Sequence, residues 1–183
     1  VAFGAFADSV DASYSTIVES RFTPASLHDL SINGSTLTDV DIEGLNAVQL
    51  SGRESTWRNV RIDGGRIASL NLAGANLGSV ELRNLRLDYV NLAGAELADI
   101  HLIGCRIATL DLPDARVTRV RFDECTADEV DARRARIQHL DLRGLEVGRF
   151  VDASSLGGAT LSERQVGLHA VDLARALGVD VRD

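Results

Sequence analysis

Apolar residues recur at every fifth position through most of this chain. From Leu37 the series runs Ile42, Ala47, Gly52, Trp57, Ile62, Ile67, Leu72 and on to Leu142 and Val147 with no insertion. The residue two before each of these is also small or apolar: Ser35, Val40, Leu45, Leu50, Ser55, Val60 and so on to Leu145. The other three residues of each unit are mostly polar, charged, Gly or Ala. A repeat this regular has to be read before any motif. A helix would spread positions five apart around its circumference, and a strand would alternate them between two faces. A coil that turns a corner after each pentapeptide keeps every centre residue inside. Four units then make one square turn of twenty residues.

The longer period is visible. The position two before the centre is small at Ser35, Ser55, Ala75, Ala95, Ala115 and Ala135, and large at Val40, Val60, Val80, Ile100, Val120 and Leu140. Residues twenty apart should therefore stack in columns that each prefer one size. Counting back to Ala12 gives 28 centres up to Val147, or seven turns. At ~4.8 Å per turn the rod would be ~34 Å long. Phe3 and Phe6 fall off the register, and Pro24 falls at a corner, where a missing N–H is tolerable. Gly or Asn occupies the second position after a centre at 34, 44, 64, 74, 84, 94, 104 and 144, whereas positions ending in 9 hold no Gly. A turn with positive φ favours Gly or Asn, so alternate corners are expected to use different turn types. Trp57 is read as inward, with Ala47 and Gly52 making room in the same turn; the other reading is outward.

Units such as Ala75-Asn76-Leu77-Gly78-Ser79, Val90-Asn91-Leu92-Ala93-Gly94 and Leu110-Asp111-Leu112-Pro113-Asp114 resemble the pentapeptide-repeat family, over about Val10 to Val147. The resemblance implies an all-β, right-handed quadrilateral β-helix of about seven coils. The chain departs from the family in its many Arg, Glu or Thr where Asp or Asn is preferred. Its loop-free form and C-terminal helix are similar to the mycobacterial-type quinolone-resistance members. Those are dimeric rods whose acidic surface imitates duplex DNA against DNA gyrase. By that resemblance Asp41, Asp63, Glu81, Asp111 and Asp131 would form the acidic mimic surface.

After Val147 the register fades, and Phe150, Ala153, Leu156, Ala159 and Leu161 suggest a last partial coil. Residues 1–150 are read as the β-helix and 151–183 as a partial coil with a capping and dimerisation helix. Ser162-Glu163-Arg164-Gln165 reads as a capping box. A helix from Glu163 to Leu177 would lay Val166, Ala170, Leu173, Ala174 and Leu177 on the last coil. A β-helix end needs such a lid, because it exposes unpaired backbone. Leu168 and Val171 on the opposite side are assigned to a homodimer contact.

Charge and candidate chemistry change this picture little. The chain has 183 residues, 27 acidic and 19 basic, a net charge of −8, and every basic residue is Arg. That balance argues against direct nucleic-acid binding. No apolar run approaches the ~20 residues that span a membrane, and cytoplasm is the default location. Val1 is not a usual start, so the true N-terminus is expected to precede it. Cys105 and Cys125, twenty apart, should be stacked, free, buried thiols. His28, His101, His139 and His169 are scattered and read as surface residues. No catalytic constellation, metal site or cofactor cradle stands out, so a non-enzymatic protein is expected. Arg66, Arg86 and Arg106 form one ladder, and Asn71, Asn91, Asp111 and Asp131 another. The functional expectation is a protein-binding scaffold, with a DNA mimic directed at gyrase as the alternative.

Overall fold

The computed structural model describes residues 7–23 and 25–182. Phe3, Phe6 and Pro24 lie outside the described residues. The chain folds as a β-solenoid of about eight turns with a short helical C-terminus. Its strands are β1 (Ala7–Asp11), β2 (Thr16–Phe22), β3 (Ala25–Ser31), β4 (Thr36–Ser51), β5 (Thr56–Asn71), β6 (Asn76–Asn91), β7 (Glu96–Ile103), β8 (Arg106–Asp111), β9 (Arg116–Asp123), β10 (Cys125–Asp131), β11 (Arg136–Asp141), β12 (Leu145–Phe150) and β13 (Ala159–Thr160). The pairs are parallel, and each residue is paired with the one twenty ahead, as in Leu37↔Trp57 and Trp57↔Leu77. The register begins one unit before the expected Ala12, because Ala7 already pairs with Leu27. It slips by one residue at the end, where Leu140 pairs with Ala159.

The inward series is as the five-residue pattern requires. Leu37, Trp57, Leu77, Leu97 and Val117 are buried in one column, and Ile67, Leu87 and Ile107 in another. Trp57 is fully buried. The room that Gly52 leaves is taken by Leu72 and Ile32, since a Cβ there would lie 2.9 Å from Leu72 Cδ2. Small interior serines are satisfied by backbone: Ser35 Oγ donates to Ala12 O at 2.8 Å and Ser55 Oγ to Gly52 O at 2.5 Å.

The corners differ from expectation. Gly34, Gly44, Gly64, Gly74, Asn84, Gly94 and Gly104 have positive φ as expected, but Gly144 does not, and Glu19, Asp39, Asn59, Ser79, Asp99, Arg119 and His139 have it too. The corner at Asp29, Gln49, Ser69, Tyr89, Thr109 and Glu129 lacks it on every rung. Three corners of each full turn thus share a left-handed residue, and one of them is built without glycine. A left-handed L-residue costs roughly 1–2 kcal/mol, which stacking of the coils outweighs. Ser79 has φ 55° and an exposed side chain. Ser79→Gly is therefore expected to raise stability by about 0.5–1 kcal/mol after the entropy of the unfolded glycine is deducted. An unchanged or lower denaturation midpoint would contradict it.

The C-terminal lid also differs. Two short helices, α1 (Glu163–Leu168) and α2 (Ala170–Ala176), replace the single helix. The capping box is present: Ser162 Oγ accepts from Gln165 N, and Gln165 Oε1 accepts from Ser162 N. The side turned to the solenoid is polar. Gln165 Nε2 donates to Leu142 O and Leu145 O at 2.7 and 2.8 Å, and His169 Nε2 lies 3.1 Å from Val147 O. Val166 and Leu177, assigned to the coil by helical spacing, are exposed. The last turn needs hydrogen-bond donors for its free carbonyls more than it needs apolar cover.

Candidate interaction surface

The outward residues form four flat faces, each a set of columns with a twenty-residue step. Face one carries Thr36, Thr56, Asn76, Glu96 and Arg116. Face two carries Arg21, Asp41, Arg61, Glu81, His101, Arg121 and Asp141. Face three carries Asn46, Arg66, Arg86 and Arg106, and face four Ser51, Asn71, Asn91, Asp111 and Asp131.

Asp41 and Glu81 share the column of face two and Asp63 stands in the next column, between Glu43 and Arg83, whereas Asp111 and Asp131 lie on face four across the rod. Each has an intramolecular partner. Arg21 Nη2 stands 3.5 Å from Asp41 Oδ2, and Arg61 Nε 2.9 Å from Glu81 Oε1, which Arg83 Nη1 also approaches at 3.3 Å. Asn84 Nδ2 donates to Asp63 Oδ1 at 2.9 Å. His101 is not a free surface residue. Its Nε2 is 2.5 Å from Asp123 Oδ2, and its Nδ1 is 3.0 Å from Arg121 Nη2. Face two is thus a ladder of alternating charge.

Face four does turn chemistry. Asn71 Oδ1 accepts from Ala73 N at 3.2 Å, Asn91 Oδ1 from Ala93 N at 2.9 Å, and Asp131 Oδ1 from Arg133 N at 3.0 Å. These are Asx turns, the physical reason for Asp or Asn before the centre residue. Asp111 is followed by Pro113, which has no N–H to offer, and its carboxylate instead accepts from Tyr89 OH at 2.7 Å. That bond pushes the pKa of the Tyr89 phenol up to about 12. Asp131 is buried, and hydrogen bonds from the Arg133 side chain hold its carboxyl below the usual carboxylate range.

A depressed folded-state pKa contributes stability above the unfolded value, near 3.9, that disappears as pH falls below it. Asp131→Asn is accordingly expected to cost about 1 kcal/mol at neutral pH, and the cost should shrink as pH falls below the unfolded value and through the lowered folded-state pKa. A pH-independent difference in melting would contradict this.

Other ion pairs tie successive rungs: Arg116–Glu96, Arg119–Asp99, Arg134–Asp114 and Arg149–Glu129. The charges tilt along the rod. Residues 7–65 hold nine carboxylates against four arginines. Cys105 and Cys125 are buried and free; Cys105 N donates to Cys125 Sγ at 3.3 Å. Among the described residues no three His, Cys, Asp or Glu side chains converge as a metal site, and no helix is long and apolar enough to cross a membrane. Leu168 and Val171 are exposed, and Val166, Leu177 and Val179 are exposed with them.

A polar groove runs along the edge between faces one and two, lined by Asp39, Asp41, Asn59, Arg61, Ser79, Glu81, Asp99 and His101, with a volume of about 450 Å³. The groove is not legible from spacing alone, since Asp39 and Asp99 sit on a corner column and Asp41 and Glu81 on a face.

These features define a β-solenoid of five-residue repeats, with charge ladders running from rung to rung on its exposed surface. No family model matches the chain, and no curated protein matches it. Among solved structures, two trypsin-treated forms of QnrB1, a plasmid-mediated fluoroquinolone resistance protein, are similar over most of the chain. One covers 100% of this chain and 99% of its own, at 14% identity and a TM-score of 0.28. The other covers 97% and 96%, at 16% identity and a TM-score of 0.24. Values of that size leave the fold assignment to the repeat register itself.

Proposed function

We propose that this protein is a non-enzymatic scaffold that binds another protein along its flat faces. The observation that carries this reading is the alternating ladder of face two, Arg21, Asp41, Arg61, Glu81, in which neighbouring charges are paired between rungs. A rigid patchwork of this kind suits a partner of complementary pattern, and specificity comes from matching both signs. The test is cross-linking in native lysate, followed by reconstitution of the complex from two purified proteins. A defined stoichiometry with salt-sensitive affinity is expected. Failure to reconstitute any complex would remove the reading.

A second reading is a DNA mimic acting on DNA gyrase. It is favoured by the acidic excess over residues 7–65 and by the family resemblance of the repeats. Under it, charge reversal of Asp41, Asp63, Glu81 and Asp111 together abolishes any effect on gyrase; an effect that survives reversal excludes mimicry.

We also propose that two copies join end to end through Leu168 and Val171, a patch that Val166 enlarges. The double change Leu168→Glu with Val171→Glu should yield a folded monomer by light scattering. A wild type already monomeric at tens of micromolar would overturn this.

A further inference from the structure

Face three holds an arginine column unlike anything on the other faces. Arg66, Arg86 and Arg106 are Cα partners on consecutive rungs, about 4.8 Å apart. Such like charges are held by something of opposite sign, and for the first two it is visible. Asp88 sits between them, with Oδ2 2.5 Å from Arg66 Nη2 and Oδ1 3.8 Å from Arg86 Nε. One coil further on, the position equivalent to Asp88 is Ala108, which stands beside Arg86 and Arg106 in the same relation and offers no acceptor. Arg106 is exposed and makes no ion pair or side-chain hydrogen bond among the described residues. Asp128, as far after Arg106 as Asp88 is after Arg66, does not reach it; Asp128 instead lines the groove beside α1.

We infer that the Arg86–Arg106 step is a docking site for a carboxylate side chain on an acidic segment of a partner protein. The inference rests on the scaffold reading and specifies where and by what chemistry it works. Asp88 supplies the internal precedent: a carboxylate clasped by guanidiniums from two rungs. Arginine is suited to this, because its fork of N–H donors matches two carboxylate oxygens. Nucleic acid fits less well. A duplex needs a broad basic footprint, and here the arginines share their face with Asp88 and Asp128 on a chain of net charge −8.

The small neighbours Ala68 and Ala108 leave the arginine heads accessible from the side as well as from above, so an extended acidic segment can lie along the column. Nothing has to open, since the coil is already ordered. Binding of this kind is salt-sensitive.

The probes are a fluorescent glutamate decamer and a duplex oligonucleotide of equal charge, titrated by anisotropy at low salt. Wild type is expected to bind the peptide more tightly than the duplex. Arg106→Gln removes the donor, and Ala108→Asp supplies the missing acceptor in cis. Each should weaken peptide binding about tenfold or more with melting unchanged. No peptide binding, equal binding by Ala108→Asp, or tighter binding of the duplex would overturn the site. A reconstituted partner that binds Ala108→Asp as wild type would remove this site and leave the scaffold reading standing, whereas absence of any partner would remove the scaffold reading itself.

Discussion

Leu87→Asp is expected to leave no folded protein. Leu87 is buried at mid-rod, stacked between Ile67 and Ile107, which are buried as well. A carboxylate there meets no cation or donor. Leaving it charged would cost far more than the about 5–15 kcal/mol that holds a domain together. Protonation reduces that cost but still buries an unsatisfied acid and removes a packed side chain. Because each turn stabilises its neighbours, a defect at the centre separates the two halves of the solenoid. Leu87→Val tests the position without the charge and should cost only about 1 kcal/mol. Soluble Leu87→Asp with an unchanged melting curve would mean that the centre residues do not point inward.

The second large effect concerns two adjacent glycines that should respond very differently. Gly65 has φ +115°, and a Cβ built on it would fall 2.1 Å from Leu45 O and 2.7 Å from Leu45 C. Those are backbone atoms of the preceding coil, and Leu45 is the Cα partner of Gly65. The overlap is relieved only by prising two rungs apart. Gly65→Ala is expected to cost about 3 kcal/mol or more, combining strain with overpacking. Gly64 has φ +73°, and a Cβ added there would meet nothing within 4 Å. Gly64→Ala should cost only the left-handed strain less the entropy that glycine adds to the unfolded chain, about 0.5–1 kcal/mol. Denaturant titration of both variants decides the matter; equal losses would show that close approach of the coils is not what selects Gly65.

These two glycines illustrate what the sequence reveals and what it conceals. The inward positions are legible because the five-residue pattern is a direct record of burial. Corner conformation is legible only where glycine marks it. Asp39, Ser79 and Arg119 have positive φ although nothing in their identity announces it, because closure of the square turn imposes the angle. Gly65 reads from spacing as one more small residue in the Cys105 column; its cause lies in a backbone contact that spacing does not encode.

The lid departs from its helical pattern for a related reason. Helical spacing ranks apolar side chains, and it places Val166 and Leu177 against the solenoid. The end of a β-solenoid presents carbonyls, and Gln165 and His169 answer them. Of the acidic surface, the column positions of Asp41, Asp63 and Glu81 are legible in the sequence. Their pairing with Arg21, Asn84 and Arg61 is not, because the twenty-residue period fixes which Cα atoms stack but not which way their side chains turn.

The pairing of charge between rungs is also what separates the two functional readings. The decisive measurement is DNA supercoiling by purified gyrase, titrated with wild-type protein at low and at high salt. A patchwork scaffold leaves supercoiling unchanged across the titration. Inhibition at low salt that is lost at high salt, and lost again on reversing Asp41, Asp63, Glu81 and Asp111, would contradict the scaffold and make the carboxylates a substitute for phosphates.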